Sequence, residues 1–161
     1  MMFADAVVQW PGSTHDSHIL RTSDVGDYLK TNHKKIADGL VLGDSGYALS
    51  NYLITPYENP ATRQQKRFNV AHKKTRNSVE RTFGCLKRRF NSLHEGLRMQ
   101  PERACKVIGA CIVLHNIAKL LNEDDFDGDD EEYECDPLPR NVAATLAGKA
   151  VRDHIANTFF V

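Results

Sequence analysis

Two short, mostly apolar segments lie in the first half of the chain, and turn-forming residues follow each of them within a few positions. The first run is Met2–Gln9 and the second is Leu40–Leu42. Each has the length of a strand, and the second ends in a Gly-Asp-Ser-Gly turn sequence. The pattern predicts strands over Met2–Gln9 and Leu40–Leu42, a turn at Pro11-Gly12, short helices through His15–Lys35 and an irregular stretch over Tyr52–Ala61.

Further along, apolar residues recur with the period of a helix. One stripe predicts a basic helix with a buried face formed by Val79, Phe83, Leu86, Phe90 and Leu93. Arg76, Glu80 and Lys87 share one border of that stripe, while Arg81 and Arg88 lie opposite it. Pro101 opens a second helix that is apolar around most of its circumference, so we predict that it is buried. Its apolar residues are Val107, Ile108, Cys111, Ile112, Val113, Leu114, Ile117 and Leu121.

The formal net charge of zero conceals a segregation of charge along the chain. Thirteen Lys or Arg residues and three acids lie between Arg63 and Lys106, whereas ten acids and no base lie between Glu123 and Asp136. A basic stripe of this density can neutralise phosphates and give salt-sensitive nucleic-acid affinity. The alternative is a solvated helix face. We favour nucleic-acid contact because the basic residues bracket Glu80.

The chain divides into three regions by pattern. Residues 1–122 have the composition of one folded domain, and residues 123–136 predict an acidic, disordered linker. The linker could fold back on the basic face and compete with DNA, or bind a basic partner. Residues 137–161 carry Ala143, Leu146, Val151 and Ile155 roughly in helical phase, which favours a short helix that docks on the domain.

Several classes of protein are disfavoured by composition. No apolar run reaches the roughly 18 residues of a membrane span, and the first residues lack the pattern of a signal peptide. The four cysteines have no CxxC spacing, so neither a disulfide framework nor a zinc ribbon is indicated and we expect them to be reduced. We therefore expect an intracellular protein.

Two carboxylates stand out as candidate chemistry. Asp44 follows the apolar run Leu40–Leu42, and Glu80 lies near the start of the basic helix, with 35 residues between the two. Metal-dependent phosphodiester chemistry needs carboxylates from distant positions that converge on divalent cations. The competing interpretation of Glu80 is a first-turn acid that the helix dipole stabilises. Taken alone, Glu80 favours this second interpretation, whereas Asp44 ends a strand, where ligands of α/β sheets bind, and so favours metal binding.

Four sequence blocks in order resemble the DDE superfamily endonuclease domain of Harbinger-type transposases and of the nucleases derived from them. The blocks are WPGSTHDSH, VLGDSGYA, FNVAHKKTRNSVERTFGCLKRRF and VIGACIVLHNIAK. The resemblance covers roughly residues 4–120, and it implies an α/β fold of the ribonuclease-H-like type with a mixed sheet flanked by helices. It also implies a metal-dependent endonuclease that acts on DNA with Mg²⁺ or Mn²⁺.

The resemblance assigns roles to particular residues. It makes Asp44 the second acidic metal ligand and Glu80 the terminal one, and both are thereby candidate catalytic residues. The family's first Asp would lie on a strand upstream of the WPGS block, and no residue of this chain stands at that position. We therefore expect an N-terminally truncated fold and poor cleavage. The candidate nucleic-acid-binding residues are His72, Lys73, Lys74, Arg76, Arg81, Lys87, Arg88 and Arg89.

Other titratable residues are weaker candidates for the site. Asp16 is predicted to cap the helix that runs into Arg21, and Asp5 to be a solvated strand residue, although either could replace the missing ligand. Cys111 and His115 are four residues apart and could form half a metal site, but a core histidine is the simpler interpretation. The same holds for His15 and His18.

Three functions remain open on the sequence alone. The first is a DDE-type endonuclease, and the second is an inactive remnant that still binds DNA or a partner protein. The third is an acidic-tailed interaction protein with no nucleic-acid role, which the basic stripe argues against. The resemblance further implies a separate Myb/SANT-like DNA-binding partner, since this chain shows no helix-turn-helix or zinc-finger signature. The expected location is the nucleus, with the cytoplasm as a second location.

Overall fold

The protein is helix-rich with a small parallel sheet, which places it in the mixed α/β class. The computed structural model describes residues 1–10, 12–124 and 144–161. In these residues the elements are α1 (Asp16–Arg21), α2 (Asp24–Asn32), β1 (Val41–Leu42), β2 (Leu53–Ile54), α3 (Arg63–Arg89), α4 (Pro101–Leu120) and α5 (Leu146–Phe159), with 3₁₀ turns at Ile36–Asp38 and Asn91–Leu93.

The two strands pair in parallel, with Val41 opposite Leu53 and Leu42 opposite Ile54. The amide of Val41 donates to the carbonyl of Tyr52 at 2.9 Å, and the amide of Gly43 donates to the carbonyl of Ile54 at 3.0 Å. The first strand was predicted over Leu40–Leu42, and β1 confirms it. The second lies in the stretch predicted to be irregular. A run of two buried residues is too short to show strand alternation.

Contacts divide the described chain into two compact units. The first, which we call the sheet unit, comprises residues 13–76 and 144–161 of the described chain. Its core contains Leu49, Ile54, Phe68 and Ala156. Helix α5 packs here, since Arg152 donates to the carbonyls of Thr55 and Pro56 at 3.2 and 3.0 Å. These bonds fix the chain that leaves β2.

The second, which we call the helical unit, comprises residues 1–10, 12 and 77–124 of the described chain. Leu86, Cys111 and Ile112 form its core. The side-chain amide of Asn116 in α4 binds the backbone of Phe3 twice, accepting from its N–H at 2.9 Å and donating to its carbonyl at 2.8 Å. His115 is fully buried, and its Nε2 hydrogen-bonds the carbonyl of Met1 at 3.0 Å. His115 is therefore a core histidine, as predicted.

The predicted strand over Met2–Gln9 is wrong. These residues form no strand in the structure. The backbone of Phe3 is satisfied by the side chain of Asn116 instead of by a neighbouring strand, which meets the same requirement that backbone polar groups find partners. Phe3 and Val8 pack against the core of the helical unit.

The predicted buried stripes of α3 and α4 are correct only in part. Leu86 is buried, but Val79 and Phe83 keep 44% and 46% of their surface exposed. In α4 only Cys111, Ile112, His115 and Ala118 are buried, whereas Val113, Leu114, Ile117, Leu120 and Leu121 are exposed. Periodicity identifies an apolar face, but it does not identify whether another element covers it.

Some of the predicted features fall on residues that the structure does not describe. These features are the turn at Pro11, Cys135 and most of the acidic segment 123–136. Beyond them, the C-terminal segment contains α5, with Thr145 as its N-cap. Cys85, Cys105 and Cys111 are free thiols. In the described part of the chain, no helix has the length and apolar character that crossing a membrane requires.

Candidate active site

The carboxylate of Asp44 is fixed at the carboxyl end of the parallel sheet. Asp44 follows β1 by two residues, and its Oδ1 accepts a hydrogen bond from the amide of Gly46 at 2.8 Å. This bond closes an Asx turn, the turn that Asp and Asn favour because their side chains reach the backbone two residues ahead. The strand thus sets the position of Asp44, and the turn sets the direction of its side chain.

The second oxygen of Asp44 faces a guanidinium from α3. Arg76 NH1 lies 3.6 Å from Asp44 Oδ2, and the two side chains are 20% and 26% exposed, respectively. A partly buried ion pair is screened less by salt than a surface pair. Arg76 therefore places a positive charge beside the second oxygen of Asp44.

A single serine hydroxyl joins α1 to the loop after β1. Ser17 Oγ donates to the carbonyl of Gly46 at 2.7 Å and accepts from the amide of Ala48 at 3.0 Å. Both backbone groups belong to the Gly-Asp-Ser-Gly-Tyr-Ala block that carries Asp44. The bridge joins two blocks that are 29 to 31 residues apart in sequence.

That bridge brings Asp16 within electrostatic range of Asp44. Burial raises the pKa of Asp16 above its ordinary value, and the charge of Asp44 raises it further, while His15 and Arg76 oppose the shift. The prediction that Asp16 caps α1 is wrong. The N-cap is His15, whose Nδ1 accepts from the amide of Ser17 at 3.3 Å, so Asp16 is already the first helical residue. The carboxylate of Asp16 therefore does not cap the helix.

Tyr47 forms part of the same charged cluster. Burial raises the pKa of Tyr47 to about 12, and the charges of Asp16 and Asp44 contribute to the rise. The phenol therefore stays protonated at neutral pH and can donate a hydrogen bond. Tyr47 was not among the site residues predicted from the sequence, although its position in the same block as Asp44 could have identified it.

His72 has a structural position, in contrast to its predicted contact with phosphate. The imidazole is only 5% exposed, and Nε2 hydrogen-bonds the carbonyl of Ile54 at the end of β2 at 3.1 Å. Burial lowers the pKa of His72, and the nearby Arg76 lowers it further. His72 follows Phe68 by four residues on the buried face of α3, which explains why it faces the sheet.

Glu80 and the basic residues of α3 differ in how exposed they are to solvent. Glu80 is partly exposed and belongs to the helical unit, whereas Asp44 belongs to the sheet unit. Lys73, Lys74 and Arg81 are exposed, and Lys87, Arg88 and Arg89 are less so. Arg89 forms a 2.8 Å ion pair with Glu123 and donates to the carbonyl of Asp124 at 3.2 Å.

The donor atoms of the sheet unit suit a hard divalent cation. Carboxylate oxygens are the ligands of Mg²⁺ and Mn²⁺, and Mg²⁺ is commonly held by one or two carboxylates with water and substrate phosphate completing the shell. Asp16 and Asp44 are two carboxylates of the sheet unit that interact electrostatically. No group of three or more His, Cys, Asp or Glu arranged to hold a metal occurs in the described residues. Two carboxylates would leave most of a cation's coordination shell to water and substrate.

Comparison with known families agrees with this geometry. The family described as DDE superfamily endonuclease matches residues 1–116, which include β1, the Asp44 loop and all of α3. The chain belongs to this family of DDE superfamily endonucleases.

Curated relatives extend the comparison. HARBI1 of Homo sapiens, which is named as a candidate nuclease, is 38% identical over 112 residues, covering 68% of this chain and 32% of the relative. HARBI1 of Xenopus laevis is 31% identical over 132 residues, covering 77% of this chain and 38% of the relative. The ALP1-like protein of Arabidopsis thaliana is 26% identical over 174 residues, covering 98% of this chain and 43% of the relative. The chain thus spans about a third of the HARBI1 relatives' length. No solved structure matches it.

The Ser17 bridge gives a test of how the site is assembled. We predict that Ser17→Ala lowers the free energy of unfolding by about 1–3 kcal/mol, because the Ala48 amide and the Gly46 carbonyl lose their partner in a partly buried position. Urea unfolding measures this change, and amide exchange at Ala48 should become faster.

Ser45→Ala is the matched control for this prediction. Ser45 is an exposed serine in the same block, so its hydroxyl should contribute within about 0.5 kcal/mol of zero. Equal stability of the two variants would show that the bridge does not hold α1 in place.

Proposed function

We propose that this protein is a DDE-type nuclease that hydrolyses phosphodiester bonds of DNA with Mg²⁺ or Mn²⁺, on a fold of the ribonuclease-H-like type. The observation that supports this most directly is the position of Asp44. A family match over residues 1–116 coincides with a carboxylate fixed at the carboxyl end of a parallel strand, where α/β sheets bind ligands.

The proposed metal ligands are Asp44 and Glu80. The two residues fall in different compact units, so their pairing rests on the sequence blocks that carry them and on the family match. Asp16 is added to this set because its carboxylate interacts with that of Asp44. It would supply an oxygen ligand from the sheet unit itself.

The chain's own groups hold and orient the reacting parts. Divalent cations, when bound, would supply an activated water or 3′-hydroxyl and charge stabilisation for the leaving oxygen. The Gly46 amide keeps one oxygen of Asp44 in a fixed direction, and Arg76 balances the charge on the other. Tyr47, protonated at neutral pH, offers a donor beside the two aspartates. These fixed groups would need little rearrangement when the phosphate arrives.

Contacts to the DNA backbone are assigned to the exposed cations of α3. Lys73, Lys74 and Arg81 are exposed, so phosphates can reach them from solvent. Arg76 remains in the proposed set through its place beside Asp44, where it would meet the scissile phosphate. Phosphate contacts position a strand but carry no sequence information. We accordingly retain a separate Myb/SANT-like protein as the proposed source of sequence recognition.

A second candidate function is that of a remnant that binds DNA or a partner without cleaving. One observation favours it: among the described residues, no three potential metal ligands are grouped. An open site with two carboxylates would hold a pair of hydrated cations weakly, because Mg²⁺ sheds water reluctantly. The two functions differ in whether any metal-dependent cleavage depends on Asp44.

Nicking of supercoiled plasmid in Mn²⁺ separates the two functions. We predict slow nicking that EDTA abolishes, and a further loss of at least about tenfold in Asp44→Asn and in Glu80→Gln, since each change removes a proposed ligand oxygen. Asp5→Asn is the control, because Asp5 is exposed and lies outside the proposed site. Nicking that survives Asp44→Asn would contradict the nuclease assignment, and complete inactivity of the wild type would favour the binding remnant.

DNA binding should depend on salt through the exposed lysines of α3. Replacing Lys73 and Lys74 together by Ala should weaken binding to all sequences alike and reduce the slope of log K against log salt by about 2, because each phosphate contact contributes about 0.9. Fluorescence anisotropy in EDTA over a range of salt concentrations measures the slope.

The control for DNA binding is the double variant Lys34→Ala and Lys35→Ala. It makes the same change of charge at exposed positions outside α3. If both double variants flatten the slope equally, binding reflects overall charge and the assignment to α3 fails.

A further inference from the structure

A cavity of about 540 Å³ lies in the sheet unit, beside the candidate carboxylates. Its walls come from α1, from α2 and from the chain that joins β1 to β2. Ligand-binding cavities in proteins have volumes of roughly 300–1,000 Å³, so this one can accept a ligand of the size of one nucleotide.

The charged groups of the cavity favour an anion. Arg21 and Lys30 contribute two exposed cations, and Asp27 contributes one carboxylate. His15 and His18 also line the wall, with His18 Nδ1 lying 3.3 Å from Arg21 NH2. Among the residues that line the cavity, two cations outnumber one acid, so a phosphate group can contact Arg21 and Lys30 favourably.

The uncharged groups of the cavity favour a flat ring. Tyr47 and Tyr52 both line it, and both are partly buried. Leu20 and Leu49 add apolar surface. Bases of single-stranded nucleic acid bind tyrosine faces by stacking, and every base has such a face. Aromatic rings and cations in one cavity together match a nucleotide better than they match a free inorganic anion or an apolar molecule.

The cavity borders the candidate active site through shared residues. Tyr47 lines the cavity, and its backbone amide donates to the carbonyl of Asp44 at 3.3 Å. His15 and Ser17, which also line the cavity, are the neighbours of Asp16 in the chain. A strand that presents one phosphate at Asp44 therefore has an adjoining nucleotide within reach of the cavity.

We propose that this cavity receives one nucleotide of the DNA strand, next to the phosphate at Asp44, with its base against the tyrosines and its phosphate toward Arg21 and Lys30. This inference rests on the proposed nuclease function and specifies a subsite for it. A free nucleotide has the same chemistry, so the test must distinguish the two sources.

The test is NMR titration of ¹⁵N-labelled full-length chain with thymidine 5′-monophosphate in EDTA, where no metal chemistry contributes. Shifts should concentrate at α1 and at Ala48–Leu49. Tyr52→Ala should weaken binding by about tenfold, as expected for the loss of one stacked base, while Tyr52→Phe should retain it. Arg21→Ala should weaken binding by a similar factor of about ten.

Matched controls use the same residue types outside the cavity. Tyr28 and Lys149 are exposed and do not line it, so Tyr28→Ala and Lys149→Ala should leave the affinity unchanged. A single-stranded thymidine tetranucleotide should bind more tightly than the mononucleotide, since a strand also reaches the residues beside Asp44. Thymidine without phosphate, and inorganic phosphate alone, should each bind more weakly.

Several results would overturn the inference. One is the absence of shifts at the cavity, and another is an equal effect of Tyr52→Ala and Tyr28→Ala. Equal affinity for the mononucleotide and the tetranucleotide would overturn the assignment to a DNA strand. The nuclease proposal fails separately, through nicking that is indifferent to Asp44→Asn. If the shifts at the cavity were absent while nicking still depended on Asp44, the subsite proposal alone would be refuted.

Discussion

The arrangement of the candidate site depends on one hydroxyl group. Ser17 Oγ satisfies a carbonyl and an amide of the loop that carries Asp44, and thereby holds α1 against the end of β1. Asp16, Tyr47 and several residues of the cavity wall lie in the two segments that this contact joins. A side chain that satisfies two backbone groups at once restricts both segments, because either group left unpaired in a partly buried place would raise the free energy.

Helix α3 also contacts the carboxyl end of the sheet. His72 binds the carbonyl at the end of β2, and Arg76, one turn further along, faces Asp44. Burial keeps the imidazole neutral, as the lowered pKa of His72 indicates, whereas Arg76 keeps its charge. One helix therefore contributes a neutral contact to the end of β2 and an ion pair to Asp44 within four residues.

The sequence predicted the elements near the site better than it predicted their contacts. The helices, β1 and the place of Asp44 at a strand end could be inferred, because turn residues and apolar periodicity are local signals. The Asp16 prediction was wrong because capping depends on the one residue that precedes the first helical turn. His72 lies in a run of basic residues, and it is buried because it lies on the face of α3 that packs against the sheet. The composition of the run does not show this difference. The Ser17 bridge joins segments about 30 residues apart, and a contact of this kind produces no periodic pattern in the sequence.

Asp44 and Glu80 are each proposed to bind divalent cations, on the family match to the sequence blocks that carry them. The most direct measurement is paramagnetic broadening of ¹⁵N-labelled protein during titration with Mn²⁺. We expect amides beside Asp44, such as Gly46, and beside Glu80, such as Arg81, to broaden at the lowest Mn²⁺ concentrations, and Asp44→Asn to remove the broadening at Gly46. Broadening confined to the acidic segment 123–136, with Gly46 and Arg81 unaffected, would contradict both assignments.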